Sequence, residues 1–274
     1  MRGLAEYVMN GRRQAIIAAV LLGVIPIVNL LNPVVVGLVV LRRGPLEGFI
    51  IFLWSLLPLL GWYSTGEFVP LIMLLSISGL SLLLRETGSW EKTLLAAILV
   101  GVGFSIFVHV NPDQIEALAE LINRQSSPEQ QSIQVERLQE VIPDYLNGFY
   151  VFLSIILLMI ARWMQSILYN PGGFQKEFQK LRISPKFAML LLGMVVLSRF
   201  EVFIPAGWLL YMLLPMLFSG IALIHAVVAR NRMSRLWLVL FYLLLLLPYS
   251  LQFLALAALI DSLYDFRGRM NKPA

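Results

Sequence analysis

The chain has 274 residues, of which 59% are hydrophobic and 14% charged, with a formal charge of +5 and no cysteine. Such a composition is too apolar for a soluble fold of this length, and the lack of cysteine excludes disulfides, thiolate metal sites and cysteine nucleophiles. The basic residues flank the hydrophobic runs, so the positive charge follows the positive-inside pattern and calls for no nucleic acid partner.

A hydrocarbon core of roughly 30 Å takes about 20 helical residues to cross. The first apolar run, 14–41, follows Arg12 and Arg13 as a signal peptide would. It continues past signal-peptide length without a clear small-residue cleavage site, so it is expected to be retained. Pro26, Asn29, Asn32 and Pro33 interrupt it. Proline removes a helical hydrogen bond and crowds the preceding turn, so two short helices meeting in a bend are predicted. Six runs then read as spans: 46–63, 68–84, 92–110, 147–168, 186–200 and 203–229. Their continuous apolar character, without alternation, indicates helices and not a barrel. The last run, 235–264, is broken at Pro248.

Charge bias orients these elements. Arg12 and Arg13 precede the first run and Arg42 and Arg43 follow it, while Arg230, Arg232 and Arg235 precede the last run and Arg267, Arg269 and Lys272 follow it. Keeping all four clusters cytoplasmic makes each broken run a hairpin and both termini cytoplasmic. The alternative, one straight crossing at either end, puts a basic cluster outside. The expected fold class is an all-α polytopic integral membrane protein, one transmembrane domain over 1–274, with about six clear spans plus two proline-broken helical hairpins at its ends. Its expected location is the bacterial inner membrane.

This orientation puts 111–146 outside. The segment holds Asp113, Glu116, Glu120, Glu129, Glu136, Glu140 and Asp144 against Arg124 and Arg137. Ile115, Leu118, Leu121 and Ile122, then Val135, Leu138, Val141 and Ile142, fall at helical spacing, which predicts two short amphipathic helices on the outer face. They form either a lid over a cavity or a solvated loop. The stretch 169–185 falls on the cytoplasmic side. Its turn formers Asn170 to Gly173 lead into Phe174, Phe178 and Leu181 on one face, with Lys176 and Lys180 pointing away. That pattern predicts an amphipathic interfacial helix with its rings in the headgroup layer.

Common catalytic signatures are missing: there is no P-loop, HExxH, GxSxG or dinucleotide fingerprint, so no enzyme activity, cofactor or metal is expected. His109 and His225 fall near opposite membrane faces in this drawing and do not meet. Polar groups at membrane depth are costly, which makes Asn29, Asn32 and Gln252 candidates for contacting a small ligand. Alternatively, these amides only satisfy carbonyls freed by the prolines. Ala15, Ala19 and the later Ser76, Gly79, Gly101, Gly103 and Ser105 are packing surfaces, and the AxxxA pair could also dock a partner subunit. Arg162, one turn from Gln165, either snorkels or pairs with a buried acid. Asp261 and Asp265 share a helical face, as a general acid and base pair or metal ligands would, but the arginines that follow also suit a salt-bridged knot.

Four stretches, "PVVVGLVVLRRG", "ARWMQSILYNPGGFQKEFQKLR", "GIALIHAVVARN" and "LIDSLYDFRGR", occur in that order over nearly the whole chain. In them the chain resembles the YybS-like family of bacterial membrane proteins, to which no activity is attached. That family is distantly similar to the S components of energy-coupling-factor vitamin transporters, small helical proteins that bind a vitamin and dock on a coupling subunit. The resemblance implies docking through an AxxxA motif in the first helix, where Ala15 and Ala19 match it. This chain has more hydrophobic segments than the usual six helices and a long acidic outer loop. The expectation is an S-component-like small-molecule binding or transport subunit whose partners are the bilayer, a small ligand and a membrane protein. A scaffold of envelope biogenesis without a ligand is the alternative, and a lipid-modifying enzyme would rest on Asp261 and Asp265 alone.

Overall fold

The computed structural model describes residues 1–110, 131–200 and 204–269. Among them all regular structure is helical. The outer acids Asp113, Glu116, Glu120 and Glu129, the helix expected around 115–122, and Lys272 lie outside the described residues, as do the side chains of His109, Glu136 and Glu140. Where the sequence suggests one domain, the residues group into two compact units, Met1–Gly172 and Gly173–Ala274.

The first unit comprises α1 (Arg2–Met9), α2 (Arg12–Val24), a 3-10 turn (Val28–Leu31), α3 (Asn32–Arg43), α4 (Pro45–Ser64), α5 (Val69–Thr87), α6 (Trp90–Val110) and α7 (Gln131–Tyr169). α1 went unread in the sequence; it is amphipathic, and its buried Ala5 and Val8 face the unit's interior. α3 forms the centre: every residue from Asn32 to Leu41 is buried, and it packs against α2, α4, α5 and α7. Glycines permit these approaches. A methyl group on Gly37 would stand 3.0 Å from Ile77 and 3.3 Å from Ala161, and one on Gly48 would collide with Val40. Gly79 and Gly103, expected at packing surfaces, face open space instead.

Local chemistry sets the helix ends. Gly44 leaves α3 at φ 104°, and Pro45 starts α4 where its missing N–H costs nothing. Gly88 closes α5 in the left-handed region at φ 59°, its N–H donating to the Leu84 carbonyl. The second expected outer helix is not separate. Its residues belong to the 39-residue α7, which continues through Pro143 into the span Asp144–Tyr169. One proline removes a single ladder bond, and the helix resumes on either side.

The second unit comprises α8 (Gly173–Gln179), α9 (Pro185–Arg199), a 3-10 turn (Ala206–Trp208), α10 (Leu209–Arg230), α11 (Leu236–Leu244), α12 (Ser250–Tyr264) and α13 (Phe266–Arg269). α10 packs against α12, with Gly220 at the crossing, where an added methyl would meet Leu254 at 2.7 Å. α11 buries no residue, whereas α10 buries eleven. An apolar helix with no interior face needs an apolar solvent, which is what a bilayer supplies.

Five of the described helical segments are long and apolar enough to cross a membrane: Pro45–Ser64, Val69–Thr87, Trp90–Val108, Asp144–Tyr169 and Leu209–Arg230. The chain is therefore an all-α membrane protein. The run expected to span 186–200 forms a helix of only 15 residues, roughly 22 Å long and short of a straight crossing.

Candidate functional site

The first bend follows from the sequence around Pro26. α2 stops at Val24, Ile27 turns at φ 67°, and the chain re-enters as a 3-10 turn before α3. A helix end leaves its last carbonyls without intrahelical donors, and in an apolar setting each needs a partner. Trp62 Nε1 on α4 meets one of them, the Gly23 carbonyl, at 2.8 Å, and Asn32 Nδ2 adds a donor to the Ala19 carbonyl one turn further into α2, at 2.7 Å. Gly23 has to lack a side chain, since a methyl there would stand 2.5 Å from Pro58 and 2.8 Å from Asn32 Nδ2.

Asn32 is thus half committed to structure. It is 0% exposed, and its Oδ1 has no hydrogen-bond partner. Asn29 lies one turn before it, 8% exposed, with its backbone carbonyl accepting from the Asn32 N–H. The two asparagines therefore come together at the bend. Gln252 belongs to the second unit, where it is exposed on the first turn of α12.

Ala15 and Ala19 are 1% and 0% exposed. The expected docking pair therefore lies inside the unit, where it lets α2 come close to its neighbours. AxxxA spacing marks close packing without saying which helix uses it.

Basic side chains collect at one end of this unit. Arg85 Nη1 donates to the Leu41 carbonyl at 2.7 Å and Gln165 Nε2 to the same carbonyl at 3.1 Å, which caps the end of α3. Arg162 is hydrogen-bonded to Gln165 Oε1, Arg43 to the Met9 carbonyl, and Arg12 is paired with Glu47. Arg162 thus bonds the amide one turn away on its own helix.

In the second unit the sequence "LIDSLYDFRGR" builds an arginine clasp. Asp261 on α12 is 0% exposed and lies 3.0 Å from Arg267 Nε, although neither of its oxygens has an aligned hydrogen bond. Arg267 directs its other donors to the carbonyls of Gln179 and Leu181 at 2.8 and 2.7 Å and of Ser219 at 2.9 Å. Burial holds its guanidinium below the ordinary range, and Asp261 opposes that shift. Arg182 pairs with Asp265 at 2.6 Å and donates to the Ser262 carbonyl at 2.9 Å. The two aspartates are therefore salt-bridged, as one of the sequence expectations had it.

α8 spans seven residues and packs on α10. Phe174 and Phe178 stack at 6.1 Å, and Phe178 meets the His225 ring edge-on at 5.5 Å. The rings are half-buried against protein, where the sequence placed them in the headgroup layer, while Lys176 and Lys180 are exposed. His225 Nε2 shares a hydrogen bond with the Tyr242 hydroxyl at 2.9 Å and serves helix packing. Among the described residues, no three His, Asp or Glu side chains gather at metal-binding spacing. No family model, curated protein or solved structure matches the chain.

Proposed function

We propose that the chain is a non-enzymatic subunit of the bacterial inner membrane that binds a small polar molecule, in the manner of the S components it resembles. One observation carries this: the unpartnered Oδ1 of fully buried Asn32, beside Asn29, at an interruption in an apolar helical run. A buried acceptor left unsatisfied costs roughly 1–3 kcal/mol, and a ligand donor recovers it. Irregular backbone at membrane depth is tolerated where it lines a cavity or is buried in protein. The gathering of Arg12, Arg43, Arg85 and Arg162 at one end of the first unit supports a cytoplasmic location for that end and for the N-terminus. A coupling subunit would have to use a face other than Ala15 and Ala19.

Thermal unfolding of the purified protein against a panel of vitamins and related polar solutes tests the proposal. At least one solute is expected to raise the midpoint, and Asn29→Ala, whose side chain bonds no other part of the unit, is expected to abolish the rise. A panel without effect, or a rise that survives Asn29→Ala, overturns it.

A further inference from the structure

Away from its bend, the first unit has a groove of about 500 Å³ between α4 and α5. Both helices are long and apolar enough to cross a membrane, so the groove is bordered by spans. Val36 and Val40 of α3, both buried, form its floor; Phe49 and Phe52 line the α4 side, and Ser78 and Gly79 the α5 side. Ser78 is the one polar residue of the lining, and its Oγ is buried without a hydrogen-bond partner. Serine inside an apolar helix can donate to a carbonyl about one turn back. Ser76, Ser81 and Ser154 do so, over 2.8, 3.0 and 2.9 Å. Ser78, at the midpoint of α5, does not. Gly79 beside it is a glycine that no neighbour requires, since a methyl there would meet nothing within 4 Å. Its missing side chain holds the groove open.

We propose that this groove binds a lipid-soluble molecule with a planar, carbonyl-bearing ring, of the quinone class. The Ser78 hydroxyl has to find an acceptor roughly 14 Å from either end of α5, near the middle of an apolar span. A phospholipid keeps its ester oxygens in the interfacial layer, outside a hydrocarbon core about 30 Å thick, and offers no acceptor at that depth. A ring carbonyl on a membrane-soluble molecule does. The Phe49 and Phe52 rings stack with centroids 6.2 Å apart and 11° between their planes, and a flat ring can lie offset against them. The volume is that of a small-molecule site, and two turns of a helix about 10 Å across would need more, which disfavours a partner helix. The groove is independent of the asparagine pair at the bend, whose response depends on Asn29, so either proposal can fail without the other.

The test uses the full chain in phosphatidylcholine nanodiscs, with the thermal midpoint followed on adding decylubiquinone or decylbenzene, which carries the same tail on a ring without carbonyls. Decylubiquinone is expected to raise the midpoint and decylbenzene to leave it unchanged. In Ser78→Ala the concentration of decylubiquinone giving half the rise is expected to increase about fivefold. Gly79→Leu, which fills the groove, is expected to abolish the rise without lowering the ligand-free midpoint. Gly103→Leu, which also points into open space but lies outside the groove, is expected to change the half-effect concentration less than about twofold. No rise with decylubiquinone, an equal rise with decylbenzene, an unaltered response in Ser78→Ala, or a rise that survives Gly79→Leu overturns the proposal. So does a dimer, seen by light scattering, that Gly79→Leu converts to a monomer, since the groove would then be a contact between two copies.

Discussion

Each interrupted run turns through a residue with positive φ, Ile27 at 67° in the first unit and Tyr249 at 68° in the second. Each has a proline beside that residue, Pro26 and Pro248. The two bends are fastened differently. At the first, Asn32 and Trp62 reach back to α2 over 13 and 39 residues of sequence. At the second, the Ser250 hydroxyl donates to the Leu245 and Leu247 carbonyls at 2.9 and 2.7 Å, a purely local closure. One bend is fastened to distant parts of its unit and the other is closed locally, while the turning residues Ile27 and Tyr249 are exposed in both. A proline in an apolar run thus specifies that the chain turns, and the distant sequence decides whether the flanking helices are tied together by long-range hydrogen bonds.

Substitutions can break or sharpen this contrast. The largest effect is expected in the second unit, away from its bend. Arg267→Met leaves Asp261 buried without a counter-charge and should lower unfolding stability by about 3–5 kcal/mol, with Asp261→Asn in the same chain recovering part of it. Asn32→Asp sets a second acceptor against the Ala19 carbonyl and should cost about 3 kcal/mol in the same chemical-unfolding measurement. Trp62→Phe keeps the ring and removes the donor to Gly23, for a loss of about 1 kcal/mol. Ser250→Ala should cost about 0.5 kcal/mol, the low end for a single neutral bond. If Ser250→Ala proved as damaging as Asn32→Asp, the two bends would be equally integrated and the contrast would fail.

Much of the helical layout was legible because a lipid-soluble helix must be continuously apolar, which marks α4, α5, α6 and α10 in the sequence. The bends were legible from Pro26, Pro33 and Pro248, since proline acts on its own neighbours. Lateral relationships were not. Gly37, Gly48 and Gly220 sit at crossings while Gly79 and Gly103 do not, and only the partner helix makes that difference. The pairing of Asp261 with nearby arginines could be anticipated, but the reach of Arg267 to Gln179, Leu181 and Ser219 could not, because carbonyls carry no sequence signal. The joining of 131–143 to the span after it was hidden by Pro143 and by acids that mimic a separate outer helix.

The burial of α3 bears on how the protein is made. At 12 residues it is roughly 18 Å long, too short to settle in a bilayer as an independent crossing. It is synthesised before α4, α5 and α7, the helices that enclose it. The packing of α3 against α4, α5 and α7 therefore forms only once those helices have been made, and the Gly23 carbonyl gains its Trp62 donor at the same stage.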